Sequence, residues 1–288
     1  MKNSTFIIND LAFEISSLAT KAIIYEASCF PSPGLVSPVS NGAHKDMDYY
    51  TFIDSTCAIM KYLSLFAQAG IECSNSNILF QNVREIGKRA EKSMFDKTNG
   101  VNTHKGMLFL MGITCAAVGK TIAKKKEFNE ISNVIKLMTE GIVKKELRSL
   151  VSKKNLSNGE KLFLKYGIQG VRGEVEKGLP TVFNFALDFY LKNEDLDLNS
   201  RLIHTLLGIM QSCDDTNIVH RHDLKTLDFV KKKAIQIINV GGMRTQEGRK
   251  KINNLCNEFI EKNISPGGSA DLLGVTVFLA MVKEYMSS

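Results

Sequence analysis

Apolar residues recur at the spacing of an α-helix along most of this chain, and that pattern limits its possible folds more than any other feature. Four such series occur in the first half: Leu11, Ile15, Leu18 and Ala22; Ile53, Met60, Leu63 and Ala67; Ile78, Val83, Ile86 and Ala90; and Ile131, Ile135, Met138 and Ile142. Similar patterns continue through 180–192, 200–212, 224–240, 247–262 and 270–285, and no run alternates as a half-buried strand does. The sequence therefore predicts an all-α protein of about ten helices.

Length and composition are those of a globular protein. The chain has 288 residues, of which 44% are hydrophobic and 23% charged, and a chain of this size can bury about three quarters of its unfolded surface. We expect one domain over residues 1–288. The six cysteines are scattered without the paired spacing of a zinc site, so we expect reduced thiols.

The net charge of +7 suits an anionic ligand. The basic runs at 124–126 and 231–233 lack the interleaved aromatic residues of single-strand binders, so no nucleic-acid partner is predicted. The N-terminus has no apolar signal segment, and the longest apolar stretch that we identify, residues 272–282, is too short to span a bilayer. We therefore expect a cytoplasmic protein with no membrane partner.

Short polar segments stand between the apolar ones. They are 31–36 (PSPGLV), which leads to 41–48 (NGAHKDMD), 101–106 (VNTHKG), 170–176 (GVRGEVE), 214–217 (DDTN) and 265–271 (SPGGSAD). Three of the five prolines fall between the first two helices, so the longest irregular connection is expected there, and such loops are usually functional. Carboxylates, glycines and bases at loop–helix junctions suit a divalent metal that holds a polyphosphate. The pattern indicates an enzyme that acts on a nucleotide.

Acidic residues occur as close pairs in three of these segments. Asp46 and Asp48 would lie on nearly opposite faces of a helix, so they can share a ligand only from irregular backbone, and either one alone could simply cap a helix. The pairs at 174 and 176 and at 214 and 215 exceed what capping requires. We therefore predict a Mg²⁺ site on Asp46, Asp48 and Asp215. Asp271 is a weaker metal-ligand candidate than Asp215, because the dipole of the helix whose first turn contains it already favours an aspartate there.

Basic and amide residues in the same segments are candidates for binding ATP phosphates. The predicted set is His44, Lys45, Asn102, Lys105, Arg172, Asn217, Arg221, Gly267, Gly268 and Ser269. Arginine can grip phosphate with two hydrogen bonds, and the glycine-rich segment offers backbone N–H groups as well as a helix cap. A structural hydrogen bond is an equally good explanation for His44 or His104 taken singly.

Taken in order, these segments resemble the triphosphoribosyl-dephospho-CoA synthase family, and the resemblance covers nearly the whole chain. It implies an all-helical enzyme that joins ATP to 3′-dephospho-CoA and releases adenine. The product would be the prosthetic-group precursor of citrate lyase or malonate decarboxylase, passed on to a separate holo-acyl-carrier-protein synthase. Three departures bear on the binding of phosphate or CoA: Ser32 stands where Lys is common, Ser37 where Asp is common, and His222 and Asp223 where two glycines are usual.

The implied reaction is a glycosyl transfer through an oxocarbenium-like transition state, which parallels a glycosidase with an alcohol in place of water. We predict Glu174 as the base that takes the hydroxyl proton, with Asp215 as the alternative, and His104 as a proton donor to adenine. Two other functions fit the same segments. One is a Mg²⁺-dependent hydrolase of nucleotides or ADP-ribose, and the other is a regulatory module that binds nucleotide without glycosyl chemistry.

Overall fold

The computed structural model describes residues 9–148 and 156–287. The N-terminal segment in which we expect no signal peptide lies outside these residues, apart from its last few positions. Thirteen α-helices occur in the described part: α1 Asp10–Ser28, α2 Tyr49–Glu72, α3 Ser76–Lys97, α4 Lys105–Ala123, α5 Glu130–Thr139, α6 Asn158–Tyr166, α7 Gly170–Glu176, α8 Leu187–Lys192, α9 Leu198–Met210, α10 Thr216–Arg221, α11 Leu224–Asn239, α12 Gln246–Glu261 and α13 Gly267–Ser287.

The prediction of an all-α protein is confirmed, since the described residues contain no strand and only one isolated bridge, between Ser37 and Ser40. Short π-helical segments at Lys144–Arg148 and Val182–Ala186 and a 3₁₀ turn at Gly242–Arg244 complete the regular structure. The helix count exceeds ten because four of the helices, α6, α7, α8 and α10, have nine residues or fewer.

Helix α4 lies at the centre of the protein and packs against α1, α2, α3, α5, α7 and α13. Glycines allow it to approach α2 closely: a Cβ on Gly70 would overlap the carbonyl oxygen of Ala116, and one on Gly119 would crowd that of Ala67. It is also the one described helix that is long and apolar enough to cross a membrane, and 72% of that apolar window is buried inside the protein. Our choice of 272–282 as the longest apolar stretch was therefore wrong, and α4 is a core helix.

Helices α4 and α13 run parallel, with their N-termini at the same end of the protein. At that end a Cβ on Gly106 would overlap Oδ2 of Asp271, and at the other end Ile122 and Met286 line a common pocket. Both helices therefore direct the positive end of their dipoles to the same region. The predicted irregular loop, which spans residues 29–48, packs against this end, where a Cβ on Gly34 would overlap the carbonyl oxygen of Ile264.

Candidate active site

Three of the polar segments meet where α13 begins. In the loop between α1 and α2, Nε2 of His44 lies 3.0 Å from Oγ of Ser265, which comes just before α13. Nη2 of Arg221, the last residue of α10, lies 3.5 Å from Nδ1 of the same histidine. Burial lowers the pKa of His44, and Arg221 lowers it further, while Asp46 opposes both effects. A neutral histidine thus joins segments that are more than 170 residues apart in sequence.

Asp215 anchors α10 to α13. It caps α10 and is 1% exposed, and its Oδ1 accepts hydrogen bonds from the amides of Asn217 and Ile218, at 3.0 and 3.4 Å. Its Oδ2 accepts from both the amide and the hydroxyl of Ser269, at 2.8 and 3.0 Å. Burial raises the pKa of Asp215, while the bonds from Ser269 and neighbouring amides lower it. Four donors occupy the lone pairs of this carboxylate.

A cavity of about 500 Å³ opens beside His44. Its lining residues are Ala43, Lys45, Asp46, Arg221, His222 and Asn263. The structure thus brings Lys45 and Arg221, two of the predicted phosphate-binding residues, to one opening, and both are exposed. The volume lies within the usual range of small-molecule sites. The residues predicted from the final polar segment, Gly267, Gly268 and Ser269, form the first turn of α13 close by, and a Cβ on Gly267 would crowd the exposed amide of Asn217.

His104 is buried before the N-terminus of α4, and is 1% exposed. Its Nδ1 lies 2.7 Å from Oγ of Ser55, which accepts a hydrogen bond from the hydroxyl of Thr103, so Ser55 can donate its own hydrogen to Nδ1. That arrangement leaves the ring hydrogen on Nε2, which is buried and has no partner among the described residues. Burial lowers the pKa of His104 to about 4, so the ring is neutral at pH 7.

The other predicted residues of that segment lie at the surface. Nζ of Lys105 forms an ion pair with Glu91 at 2.6 Å, and the side-chain oxygen of Asn102 accepts from the Lys105 amide at 3.3 Å. Both residues are exposed. They border the same helix end as His104, and only Lys105 carries a charge that could reach a phosphate.

The two glutamates of α7 have different hydrogen-bond partners. Oε1 of Glu174 accepts from the hydroxyl of Thr181 at 2.7 Å, and its Oε2 accepts from the Thr181 amide at 3.3 Å, whereas Glu176 accepts from the amide of Val143. Burial raises the pKa of Cys213, and the charges of Asp215 and Glu174 raise it further, so Glu174 and Asp215 both lie near this thiol. Glu174 is half-buried.

Arg172 of the same helix is engaged in an ion-pair network. Its Nε donates to Glu146 at 2.8 Å, and Arg84 contacts the other oxygen of that carboxylate. Burial lowers the pKa of the Arg172 guanidinium, and Glu160 opposes this effect. Phosphate binding by Arg172 would require it to leave Glu146.

The three aspartates predicted to hold metal have separate surroundings. Asp48 caps α2, and its Oδ1 accepts from the amide and hydroxyl of Thr51, which lower its pKa. Asp46 is 61% exposed at the cavity, 3.7 Å from His44. The charge of the third, Asp215, is fully engaged by helix N–H groups and Ser269. Within the described ranges, no three His, Cys, Asp or Glu side chains are grouped so that they could hold a metal ion by themselves.

Two carboxyl groups at this end were undervalued or missed by sequence reasoning. Glu26, in the last turn of α1, is 7% exposed, and desolvation raises its pKa to about 7. Asp271, in the first turn of α13, is half-buried, and its pKa is raised well above the usual value by burial, then by Glu26 and Asp215. The signal for Glu26 is its position: it continues the apolar face of Ala19, Ala22 and Ile23 at helical spacing.

The residues that depart from the family pattern are Ser32, Ser37, His222 and Asp223. Ser32 is buried and its hydroxyl has no partner among the described residues, while Ser37 donates to the carbonyl of Ser40 at 3.4 Å. Nε2 of His222 lies 3.0 Å from the carbonyl of Asn263 beside the cavity, and Asp223 caps α11. Of these four residues, His222 is the one that lines the cavity.

Comparison with known proteins gives one consistent result. The sequence model of the ATP:dephospho-CoA triphosphoribosyl transferase (CitG) family matches residues 12–288. A probable 2-(5''-triphosphoribosyl)-3'-dephosphocoenzyme-A synthase of Malonomonas rubra is 38% identical over 97% of this chain and 91% of its own length. A protein of the same name from Lactiplantibacillus plantarum is 36% identical, over 93% of this chain and 97% of its own.

A third relative, Protein CitXG of Leuconostoc mesenteroides subsp. cremoris, is 42% identical over 93% of this chain. The chain spans only 58% of that relative's length. No solved structure matches the chain.

Proposed function

The chain belongs to the ATP:dephospho-CoA triphosphoribosyl transferase family, and we propose that it carries out the transfer at the end of the protein where α4, α10 and α13 begin. The reaction joins ATP to 3′-dephospho-CoA to give 2′-(5″-triphosphoribosyl)-3′-dephospho-CoA, the prosthetic-group precursor of citrate lyase or malonate decarboxylase. The bond between adenine and ribose C1 breaks, and a bond from C1 to the 2′-oxygen of dephospho-CoA forms. The hydroxyl proton must go to a base, and the departing adenine must receive a proton.

The observation that carries this assignment of the site is the cavity beside His44, where Lys45 and Arg221 face one opening next to the N-terminus of α13. Two cationic side chains and a helix N-terminus suit the triphosphate of ATP. Gly267, Gly268, Ser269 and Asn217 would supply backbone and amide donors there. A triphosphate held by these groups fixes the ribose for attack, so catalysis would depend strongly on positioning.

Glu174 remains the preferred base, because among the described residues its two oxygens accept only from Thr181 and keep capacity for a further proton. Asp215 is the alternative, and its four accepted hydrogen bonds support a positioning role instead.

His104 would act on the leaving adenine as a neutral hydrogen-bond donor, and the proton that adenine takes up would come from bulk water. A pKa of about 4 argues against an imidazolium at pH 7, and the partnerless Nε2 offers an N–H group to a ring nitrogen of the base. Lys105 and Asn102 at the same helix end would contact the nucleotide from the surface. Arg172 would join only if Glu146 released it.

Mg²⁺ would enter with ATP, but the predicted ligand set fits it poorly. The oxygens of Asp215 are taken by four donors, and Asp48 is engaged as a helix cap, which leaves Asp46 as the freely exposed member. The metal set of Asp46, Asp48 and Asp215 stays a prediction, and no step of the transfer is assigned to a metal bound there.

The destination of the product and the location of the enzyme are further proposals. The family resemblance supports transfer of the product to a separate holo-acyl-carrier-protein synthase and a cytoplasmic enzyme, and the burial of α4 indicates that this helix belongs to the core and does not cross a membrane. Recovery of the chain with the membrane fraction after cell lysis would contradict that location.

Product analysis tests the proposed function directly. The protein is incubated with ATP, Mg²⁺ and 3′-dephospho-CoA, and the products are identified by mass. We expect free adenine and a conjugate that retains all three phosphates, with little of either when dephospho-CoA is omitted. Release of ADP and phosphate would show attack at phosphorus, equal adenine without acceptor would show a hydrolase, and intact ATP would favour a binding module.

The same assay distinguishes the two candidate bases. Glu174→Gln keeps the shape of the side chain and removes the base, so kcat should fall by roughly 10²-fold or more with little change in ATP affinity. Asp215→Asn is the matched variant, and a loss in ATP affinity with kcat preserved would support positioning. An effect of Glu174→Gln on KM alone would move that residue to a binding role.

A further inference from the structure

Two carboxyl groups from opposite ends of the sequence lie close together where α1 meets α13. Gly274 lies one turn after Asp271 on α13, and a Cβ on Gly274 would lie 3.9 Å from the Cβ of Glu26. The charge of Glu26 also raises the pKa of Asp271, so the two carboxyl groups lie within electrostatic range of each other. Glycine at 274 allows α1 to approach this closely.

Neither carboxyl group has a cationic partner in the described part of the chain. Glu26 is 7% exposed, and no described group donates a hydrogen bond to its carboxyl oxygens. Asp271 accepts from the amide of Met107, at the N-terminus of α4, and also feels the charge of Asp215. Buried like charges are costly unless a proton or a cation neutralises them.

The position of the pair points to a ligand that arrives from the polar segments. Asp271 is half-buried, and it stands in the turn that begins with Gly267 and Gly268, next to Asp215 and the cavity segment. The parallel N-termini of α4 and α13 contribute only partial positive charge. No described side chain supplies a full positive charge to Glu26 and Asp271, so a cation that neutralised them would come from outside the protein.

We propose that Glu26 and Asp271 together hold a divalent cation of the Mg²⁺ or Mn²⁺ class, which links them to the phosphates of the nucleotide. Mg²⁺ typically takes one or two protein carboxylates and completes its shell with waters and phosphate oxygens. Two carboxylates are thus sufficient once the nucleotide is present. The inference rests on the proposed function only for the identity of the phosphate ligand.

Binding of ATP without the acceptor tests this site. Calorimetric titrations are made in Mg²⁺ and in EDTA with the wild-type protein, with Glu26→Gln, and with the control Glu14→Gln, an exposed glutamate on the same helix. We expect wild-type affinity for ATP to fall at least tenfold in EDTA. Glu26→Gln should bind ATP at least tenfold more weakly than wild type in Mg²⁺, and at least as tightly as wild type in EDTA because one repelling charge is gone. Glu14→Gln should match the wild type.

Several outcomes would overturn the proposal. Equal affinity of the wild type for ATP in Mg²⁺ and in EDTA would overturn it whatever the variants show. Glu26→Gln whose ATP affinity falls in EDTA as much as that of the wild type would also overturn it. Weaker binding of the variant in both conditions would assign Glu26 a structural role. Asp271→Asn carries the same test if Glu26→Gln does not fold cooperatively.

Adenine release in a parallel assay that contains dephospho-CoA separates this inference from the proposed function. Metal-dependent ATP binding with no adenine release in the presence of dephospho-CoA would support the cation site and contradict the transfer. Adenine release from ATP that binds equally well in EDTA would support the transfer and contradict the cation site.

Discussion

At the scale of single residues, burial decides which titratable groups matter. His104 is held neutral by burial, while Asp215 stays hydrogen-bonded through four donors. Exposed ion pairs such as Lys105 with Glu91 contribute little to stability in water, because solvent screens them. Removal of a buried titratable group should therefore change stability or binding more than removal of an exposed one.

His104 should make the stability of the protein depend on pH. Its pKa of about 4 in the folded state lies below the usual value near 6.5. Between pH 6.5 and 4 the unfolded chain therefore binds a proton at His104 and the native state does not. The free energy of unfolding falls as the pH is lowered through this window. The loss should approach roughly 3 kcal/mol at the acid end.

Urea unfolding of wild type and His104→Asn at several pH values measures this effect. The wild type should lose stability relative to the variant as pH falls across that window. His220→Asn, which removes an exposed ring, serves as the control and should leave the pH profile of the wild type unchanged. A difference between wild type and His104→Asn that does not vary with pH would contradict the prediction.

At the scale of helices, the proposed active site depends on close approach between helix ends. Gly106 in the first turn of α4 abuts Asp271 in the first turn of α13, and the amide of Met107, the next residue of α4, donates to the same carboxylate. A side chain at 106 would therefore displace the carboxylate of Asp271. No comparable contact surrounds Gly87 on α3, where a Cβ would meet nothing within 4 Å.

Gly106→Ala and Gly87→Ala should have opposite effects. We expect Gly106→Ala to lower the free energy of unfolding by about 1–3 kcal/mol, since it overpacks a tight contact, and to weaken ATP binding. Gly87→Ala should raise the free energy of unfolding by up to ~1 kcal/mol, because alanine favours the helix and restricts the unfolded chain. Urea unfolding and ATP titration measure both. A Gly106→Ala variant that is more stable than the wild type and binds ATP normally would contradict a tight contact between Gly106 and Asp271.

At the scale of the whole molecule, the buried apolar residues form one continuous core from α1 to α13. Helix α13 contacts α1, α4, α8, α9 and α10, so the last helix ties both halves of the chain together. The single domain over residues 1–288 stays a prediction.

One cooperative unfolding transition is the expected consequence. Circular dichroism reports on the helices, and tyrosine fluorescence reports on packing, which is practical because the chain has seven tyrosines and no tryptophan. Urea curves from the two probes should coincide. Two separate transitions, or curves with different midpoints, would indicate two units that unfold independently.

The sequence by itself determined the all-α class, the position of most helices and the polar segments that meet at the proposed site. Helical periodicity is local, and residues such as Ile15, Ala19 and Ala22 carry it without any information about the rest of the chain. The long loop before α2 could also be predicted, because its prolines cannot continue a helix. Helix α4 was underestimated, since a helix that is apolar on all sides has no periodic face to detect.

Only the tertiary structure decided which polar residues meet. Asp46 and Asp48 are neighbours in sequence, yet one lies at the cavity and the other caps α2. Glu26 and Asp271 lie at opposite ends of the chain and come together because α1 packs on α13. The physical reason is that local spacing sets the face and cap of each helix, whereas the burial and charge of a carboxylate depend on helices that are distant in sequence.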